Sequence, residues 1–148
     1  MTLEEMYADQ QGFQDALTGA YNRRFYEEEL KHKYLNAGVA MIDLDDFKLC
    51  NDTYGHDGGD KLLTAAAQVM QDAAGMDGQV VRYGGDEFLL LLPGVGENDF
   101  PAVLEDVRAR IAALRLPEQS GLRLTASIGG VMARDETVAD AVLRADRL

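Results

Sequence analysis

The chain has 148 residues, enough for one domain with a substantial core. Its 47% hydrophobic and 27% charged residues suit a folded protein, but the net charge of −12 argues against nucleic acid as a partner, which needs a basic face, and disfavours contact with an anionic membrane. One cysteine, Cys50, allows no intrachain disulfide, no apolar run approaches the roughly 18 residues of a membrane span, and the start Met1-Thr2-Leu3-Glu4-Glu5 lacks a signal-peptide core. A cytoplasmic domain is therefore expected, on its own or as the cytoplasmic part of a larger sensor.

Residues 1–14 read as the end of a linker helix from an upstream region, with Leu3, Met6, Tyr7 and Phe13 as the apolar residues of a helix-compatible run from Leu3 to Gln14. A turn at Leu17-Thr18-Gly19 precedes a helical run with Phe25, Leu30 and Tyr34. Val39-Ala40-Met41-Ile42 is short, apolar and partly β-branched, as a buried strand requires, and ends in Asp43-Leu44-Asp45-Asp46. Gly55, Gly58 and Gly59 mark a break, after which a helix runs to about Ala74 with Leu63, Ala67 and Met70 on one face. Val80–Tyr83 and Phe88–Leu92 flank Gly84-Gly85, a hairpin signal because glycine accepts positive φ. Asp99 is placed to cap a helix that carries Pro101 in its first turn and Val103, Val107, Ile111 and Leu114 on one face. Leu122, Leu124, Ala126 and Ile128 alternate with polar residues as a half-buried strand, and a last helix begins near Glu136. Helices alternating with strands around an antiparallel hairpin point to an α/β (α+β) sandwich on a mixed or antiparallel sheet, for which the ferredoxin-like palm is the natural candidate.

Two acidic sets adjoin apolar strands: Asp43 with Asp45 and Asp46, and Asp86 with Glu87. Like charges this close raise each other's pKa unless a cation joins them, and hard oxygen donors of this kind suit Mg²⁺. A solvated acidic loop is the commoner role for such a run taken alone, and an acidic hairpin tip is also commonplace. Side-chain alternation sends Asp86 and Glu87 to opposite faces of a regular strand, so only one directly joins Asp43. The Gly84-Gly85 turn is expected to set Asp86 in that position. Between the acidic sets, Lys48 can answer a phosphate, while Asn51 and Asp60 offer a donor–acceptor pair that suits a guanine edge. Their bland alternatives are a turn residue for Asn51 and a helix-dipole carboxylate for Asp60. His56 reads as a packed or capping histidine, and Cys50 as a small buried residue.

These residues stand in an order that resembles a known family. Asp15-x-Leu17-Thr18-Gly19-x-x-Asn22-Arg23-Arg24, Asp43-Leu44-Asp45-Asp46-Phe47-Lys48-x-x-Asn51-Asp52-x-x-Gly55-His56-x-x-Gly59-Asp60-x-x-Leu63, Arg82-x-Gly84-Gly85-Asp86-Glu87-Phe88 and Thr125-x-Ser127-Ile128-Gly129 resemble, in sequence, the motifs of GGDEF domains. The resemblance covers 15–148 and implies diguanylate cyclase chemistry, in which two GTP become cyclic di-GMP and two pyrophosphates in a palm resembling that of nucleotidyl cyclases. It implies two Mg²⁺ or Mn²⁺ ions per GTP on Asp43 and Asp86, helped by the Leu44 carbonyl, with Glu87 as a further ligand or as the acid assisting the 3′-hydroxyl. Asn51 and Asp60 would hold guanine, Leu17 and Leu63 wall its pocket with Phe47 nearby, Lys48 reach the phosphates, and Gly84 and Gly85 let main chain approach the nucleotide. It also implies a homodimer, since each domain binds one GTP, and an upstream sensory or regulatory domain.

Two departures from the family pattern bear on function. An Arg-x-x-Asp product site five residues before the signature turn is replaced by Gly75 and Gly78, so no feedback binding is expected there. The last helix, begun by Leu143-Arg144-Ala145-Asp146, is expected to be truncated before the lysine and arginine that the family brings to the triphosphate. Three rival readings remain: a GTP-binding signalling module that does not cyclise, another palm nucleotidyltransferase, and a purely structural module.

Overall fold

The computed structural model describes residues 2–10, 12–115 and 123–148. Helix α1 (Leu3–Gln10) is followed by a short helix α2 (Arg23–Phe25) that runs on into a single π-helical turn, Tyr26–Leu30. Strand β1 (Tyr34–Asp45), helix α3 (Phe47–Ala74), strands β2 (Gln79–Arg82) and β3 (Glu87–Pro93), helix α4 (Phe100–Ala112), strand β4 (Thr125–Thr137) and helix α5 (Val138–Asp146) complete the order. The four strands form one sheet, β2-β3-β1-β4, in which every neighbouring pair is antiparallel. That is the ferredoxin-like arrangement expected for the palm.

Both faces of the sheet are covered, which explains why the central strands read as unbroken apolar runs rather than alternating ones. Ala40, Ile42, Leu44, Phe88, Leu90 and Leu92 point into a core filled by Leu62, Leu63, Ala66 and Met70 of α3 and by Phe100, Val107 and Ile111 of α4. Val39, Met41, Leu89 and Leu91 point the other way, onto Phe13, Phe25, Tyr26, Leu30, Val138, Ala141 and Val142. The side chain of Asp43 continues this second face at the end of β1.

Several boundaries differ from the expected ones. Helix α1 ends at Gln10, not Gln14, because Gly12 takes φ +69 and turns Phe13 into the core at 3% exposure. Tyr34 opens β1 instead of closing a helix and is 73% exposed. The helical segment of α3 begins at Phe47, before the glycines, and is only kinked at Gly55 (φ 78, ψ 172). Asp99 occupies the position before α4, yet its side chain makes no capping hydrogen bond. Residues 124–128 alternate in burial as expected, and Leu122 lies outside the described residues. The last helix begins at Val138, capped by the Thr137 side chain, which accepts from the Asp140 amide at 3.2 Å.

Candidate active site

The site grows from the end of β1. Asp43 faces Glu87 in the β1–β3 register and Ser127 in the β1–β4 register. Directly opposite residues in an antiparallel pair hold their Cβ atoms about 5 Å apart. Glu87, not Asp86, is therefore the cross-strand partner of Asp43. The reason is local: the ladder starts at Glu87, and Asp86 belongs to the bend before it. Asp86 is tied in by its main chain, its carbonyl accepting the Leu44 N–H at 3.0 Å. The Leu44 side chain is 1% exposed and turned into the opposite core.

Asp43, Glu87, Ser127, Gly129 and Asp146 line a cavity of about 190 Å³ beneath the end of α5. Loss of hydration raises the Asp43 carboxyl above its ordinary range, with the charges of Asp86, Asp45 and Asp146 adding to the effect. Glu87 is raised for the same first reason, then by Asp43, Asp86 and Asp146, while the Arg23 charge opposes. Asp45 is otherwise engaged: its carboxylate accepts the Ser127 hydroxyl at 2.8 and 2.9 Å and the Thr125 hydroxyl at 3.2 Å. Asp46 is exposed and takes the left-handed conformation (φ 60) that turns the chain from β1 into α3.

The signature turn closes the expected β2–β3 hairpin, the Glu87 carbonyl accepting the Tyr83 and Gly84 N–H groups at 2.8 and 3.1 Å, but neither glycine in it has positive φ. Their value is spatial. A Cβ on Gly84 would come within 2.6 Å of Glu87 Oε1, whereas one on Gly85 would meet no protein atom within 4 Å. The bend is braced by residues to which the sequence reading assigned no role. Arg82 donates from Nε and Nη2 to the Gly85 carbonyl at 3.2 and 2.9 Å, and from Nη1 to both Asp15 carboxylate oxygens at 3.2 and 3.3 Å. Asp15 also accepts from the Thr18 amide and hydroxyl at 2.9 and 2.7 Å. On the far side, the Arg23 guanidinium lies 3.8 Å from the Tyr83 ring centroid and donates to the Tyr83 carbonyl at 3.3 Å. Asp15 and Arg82 each stand in one of the quoted motifs, but nothing in the sequence pairs residues 67 positions apart.

The other expected site residues fall on α3 and the loop before α2. Leu17 and Asp60 share an open cleft of about 460 Å³ with Lys61, Thr64, Ala65 and Gln68. Leu63 does not line that cleft: at 1% exposure it packs in the core beneath. Phe47 is half-buried against the same core, and Lys48 is exposed at the start of α3. Asn51 does not line the cleft either; its amide turns onto Gly59 and its Nδ2 lies 3.2 Å from Nδ1 of His56. His56 is exposed rather than packed. Cys50 is buried at 0%, and burial, then Asp46, pushes its thiol up, away from nucleophilic use.

A family model described as "Diguanylate cyclase, GGDEF domain" matches residues 12–148. The chain belongs to the GGDEF family. The diguanylate cyclase DosC of Escherichia coli is 36% identical over 127 residues, covering 80% of this chain and 28% of that protein. The diguanylate cyclase DgcM of the same organism is 38% identical over 123 residues, covering 78% of this chain and 29% of its own length. The chain thus spans less than a third of these GGDEF proteins. Among solved structures, the diguanylate cyclase SiaD from Pseudomonas aeruginosa, in complex with its activator SiaC, superposes with TM-score 0.74 at 34% identity, covering 97% of this chain and 61% of that one. The GGDEF domain of DgcB from Caulobacter crescentus, in complex with c-di-GMP, gives TM-score 0.79 at 26% identity over 92% and 86% of the two chains. Among the described residues no helix is long and apolar enough to cross a membrane.

Among the described residues, no set of three or more His, Cys, Asp or Glu side chains is gathered as a ready-made metal cage. The donors present are the facing Asp43 and Glu87, with Asp86 close enough to raise both. Hard, mutually repelling carboxylates without a nitrogen or sulfur partner fit a cation that takes its remaining ligands from water and phosphate.

Proposed function

We propose that this domain is a diguanylate cyclase, joining two GTP into cyclic di-GMP with release of two pyrophosphates. The observation that carries the reading is the Asp43–Glu87 pair facing across the sheet beside an unobstructed Gly85. Asp43, Glu87, Asp86 and the Leu44 carbonyl would hold Mg²⁺ or Mn²⁺, which, when bound, neutralises phosphate charge and acidifies the attacking hydroxyl. Asp60 and Asn51 would recognise guanine with Leu17 against the base, and Lys48 would reach the phosphates. A Glu87 carboxylate oxygen would take the proton of the 3′-hydroxyl as the hydroxyl oxygen bonds the α-phosphorus and the bond to pyrophosphate breaks.

Each domain would hold one GTP, so two copies must meet face to face, as the resemblance implies. An activator or upstream domain is the natural input, in line with the SiaD–SiaC complex and with the structure of the coiled coil and GGDEF domain of DgcB. Residues 75–78 would carry no feedback site. A Cβ on Gly78 would lie 2.5 Å from the Ala74 carbonyl oxygen and 2.8 Å from that of Leu91, so this backbone has no room for an acidic side chain there.

The test is incubation with GTP and Mg²⁺, followed by chromatography for cyclic di-GMP and pyrophosphate. The wild-type chain should make both, and Asp43→Asn and Glu87→Gln should lose at least about 10²-fold in rate while still folding. GTP bound without product would favour a non-cyclising signalling module, and no GTP binding would sink both readings.

A further inference from the structure

Asn51 and His56 stand on either side of the break in α3. Gly55, at φ 78 and ψ 172, interrupts the helix between them and lets the two side chains meet. The Asn51 amide is enclosed on its other side by Gly59: a Cβ there would lie 2.1 Å from Oδ1. Oδ1 is buried and has no hydrogen-bond partner among the described residues. The amide is therefore pinned between a glycine wall and one imidazole nitrogen.

A carboxamide presents opposite chemistry at its two ends, so turning it over exchanges donor for acceptor. With Nδ2 as the donor, His56 must accept at Nδ1 and carry its proton on Nε2. Nδ2 has two hydrogens and His56 takes one. An imidazole presenting N–H at Nδ1 would instead demand Oδ1 and turn the amide around.

We infer that His56 is a positioning residue that sets the donor–acceptor orientation of Asn51 and, through it, the selection of guanine over adenine. The inference rests on the reading that Asn51 and Asp60 hold the base. With His56 accepting at Nδ1, the second Nδ2 hydrogen would be left to donate to guanine O6 while the Asp60 carboxylate would accept from N1–H and the 2-amino group. Adenine inverts this edge, offering an amino group in place of O6 and a lone pair at N1. Sites that use buried hydrogen-bonding groups in this way discriminate strongly, because the wrong base leaves them unpaired.

The experiment is titration of the 148-residue chain with GTP and with ATP, in Mg²⁺, for wild type, His56→Ala, His56→Gln, His56→Lys, Asn51→Ala and the Asn51–His56 double alanine variant. His56→Ala should weaken GTP about 5- to 20-fold and leave ATP within about twofold, the effect of misplacing one or two hydrogen bonds. Gln offers an acceptor and should recover GTP to within about threefold, whereas Lys offers only donors and should not. His56→Ala should add nothing in the Asn51→Ala background, since the two act as one unit. Equal weakening of both nucleotides, additive losses, or equivalent behaviour of Gln and Lys would overturn the inference. If Asn51→Ala lowers the GTP preference and His56→Ala does not, the inference falls alone. If neither Asn51→Ala nor Asp60→Ala lowers it, the guanine reading falls and takes the inference with it.

Discussion

The Arg82 guanidinium joins two turns by its hydrogen bonds to Gly85 and Asp15, and both partners of the ion pair are about four-fifths shielded, at 22% and 19% side-chain exposure. A shielded, charge-assisted network of this kind is worth more than a surface pair. Arg82→Ala should cost on the order of 1.5–3 kcal/mol in urea unfolding, and Arg82→Lys should recover only part, lacking the planar fork. Burial would raise the Asp15 carboxyl, but the Thr18 hydroxyl and amide and the Arg82 charge outweigh it and hold the group below its ordinary value of 3.8. A carboxyl depressed in the folded state contributes stability that is fully present above the unfolded pKa, about 4, and lost as pH falls through the folded one. Asp15→Asn should therefore flatten stability between pH 4 and more acid conditions, a change read from urea midpoints across that range. The two glycines of the signature turn separate by the same style of test. Gly84→Ala must push the Glu87 carboxylate aside while the fold persists, so kcat should fall, on the order of 10²-fold for an ångström of misplacement. Gly85→Ala meets no protein atom, so its loss should fall on nucleotide binding and appear in KM. Equal effects from the two would refute the assignment of different roles.

At the scale of elements, α5 reaches the site because β4 has no side chain beneath its end. A Cβ on Gly129 would lie 2.2 Å from the Ala145 carbonyl oxygen, which is backbone and cannot swing away. Gly130 differs, since its added Cβ would meet only side chains, Leu104 Cδ1 at 2.5 Å and the Phe100 ring at 3.0 and 3.2 Å, which can give more readily than backbone. Gly129→Ala should cost about 1–3 kcal/mol and loosen α5, seen as faster amide hydrogen exchange in 138–146, with Gly130→Ala milder on both counts. The strands were legible because two-sided burial writes itself as an unbroken apolar run, and Val39–Ile42 and Phe88–Leu92 both carry one. The strand end was less so. Whether Asp86 or Glu87 opposes Asp43 depends on the length of the bend, and a slip of one residue reverses the face. Leu30 and Tyr34 are four residues apart, but Phe25 and Leu30 are five apart, off the α-helical period; the π-helical turn Tyr26–Leu30 takes up that step and Tyr34 joins the sheet. Asp15 and Arg82 were invisible as partners because no local period connects residues 67 positions apart.

For the molecule as a whole, the proposed chemistry makes the single domain half a catalyst. Below the dissociation constant of the dimer, the active species grows as the square of total protein, so specific activity should rise in proportion to concentration and level off once dimers dominate. Charge sharpens the expectation. Two copies at −12 each repel one another, and association of like-charged surfaces is eased by salt, whose screening length shortens from roughly 14 Å near 50 mM to about 8 Å at 150 mM ionic strength. In the dilute regime, raising salt over that range at fixed Mg²⁺ and GTP should therefore increase specific activity. On the plateau it should not. Parallel sedimentation velocity distinguishes this from a salt effect on GTP binding: the dimer fraction and the rate must rise together. A specific activity that stays constant through concentrations where the chain sediments as a monomer would show that one copy suffices. The face-to-face assembly would then have to be abandoned, even with cyclic di-GMP as the product.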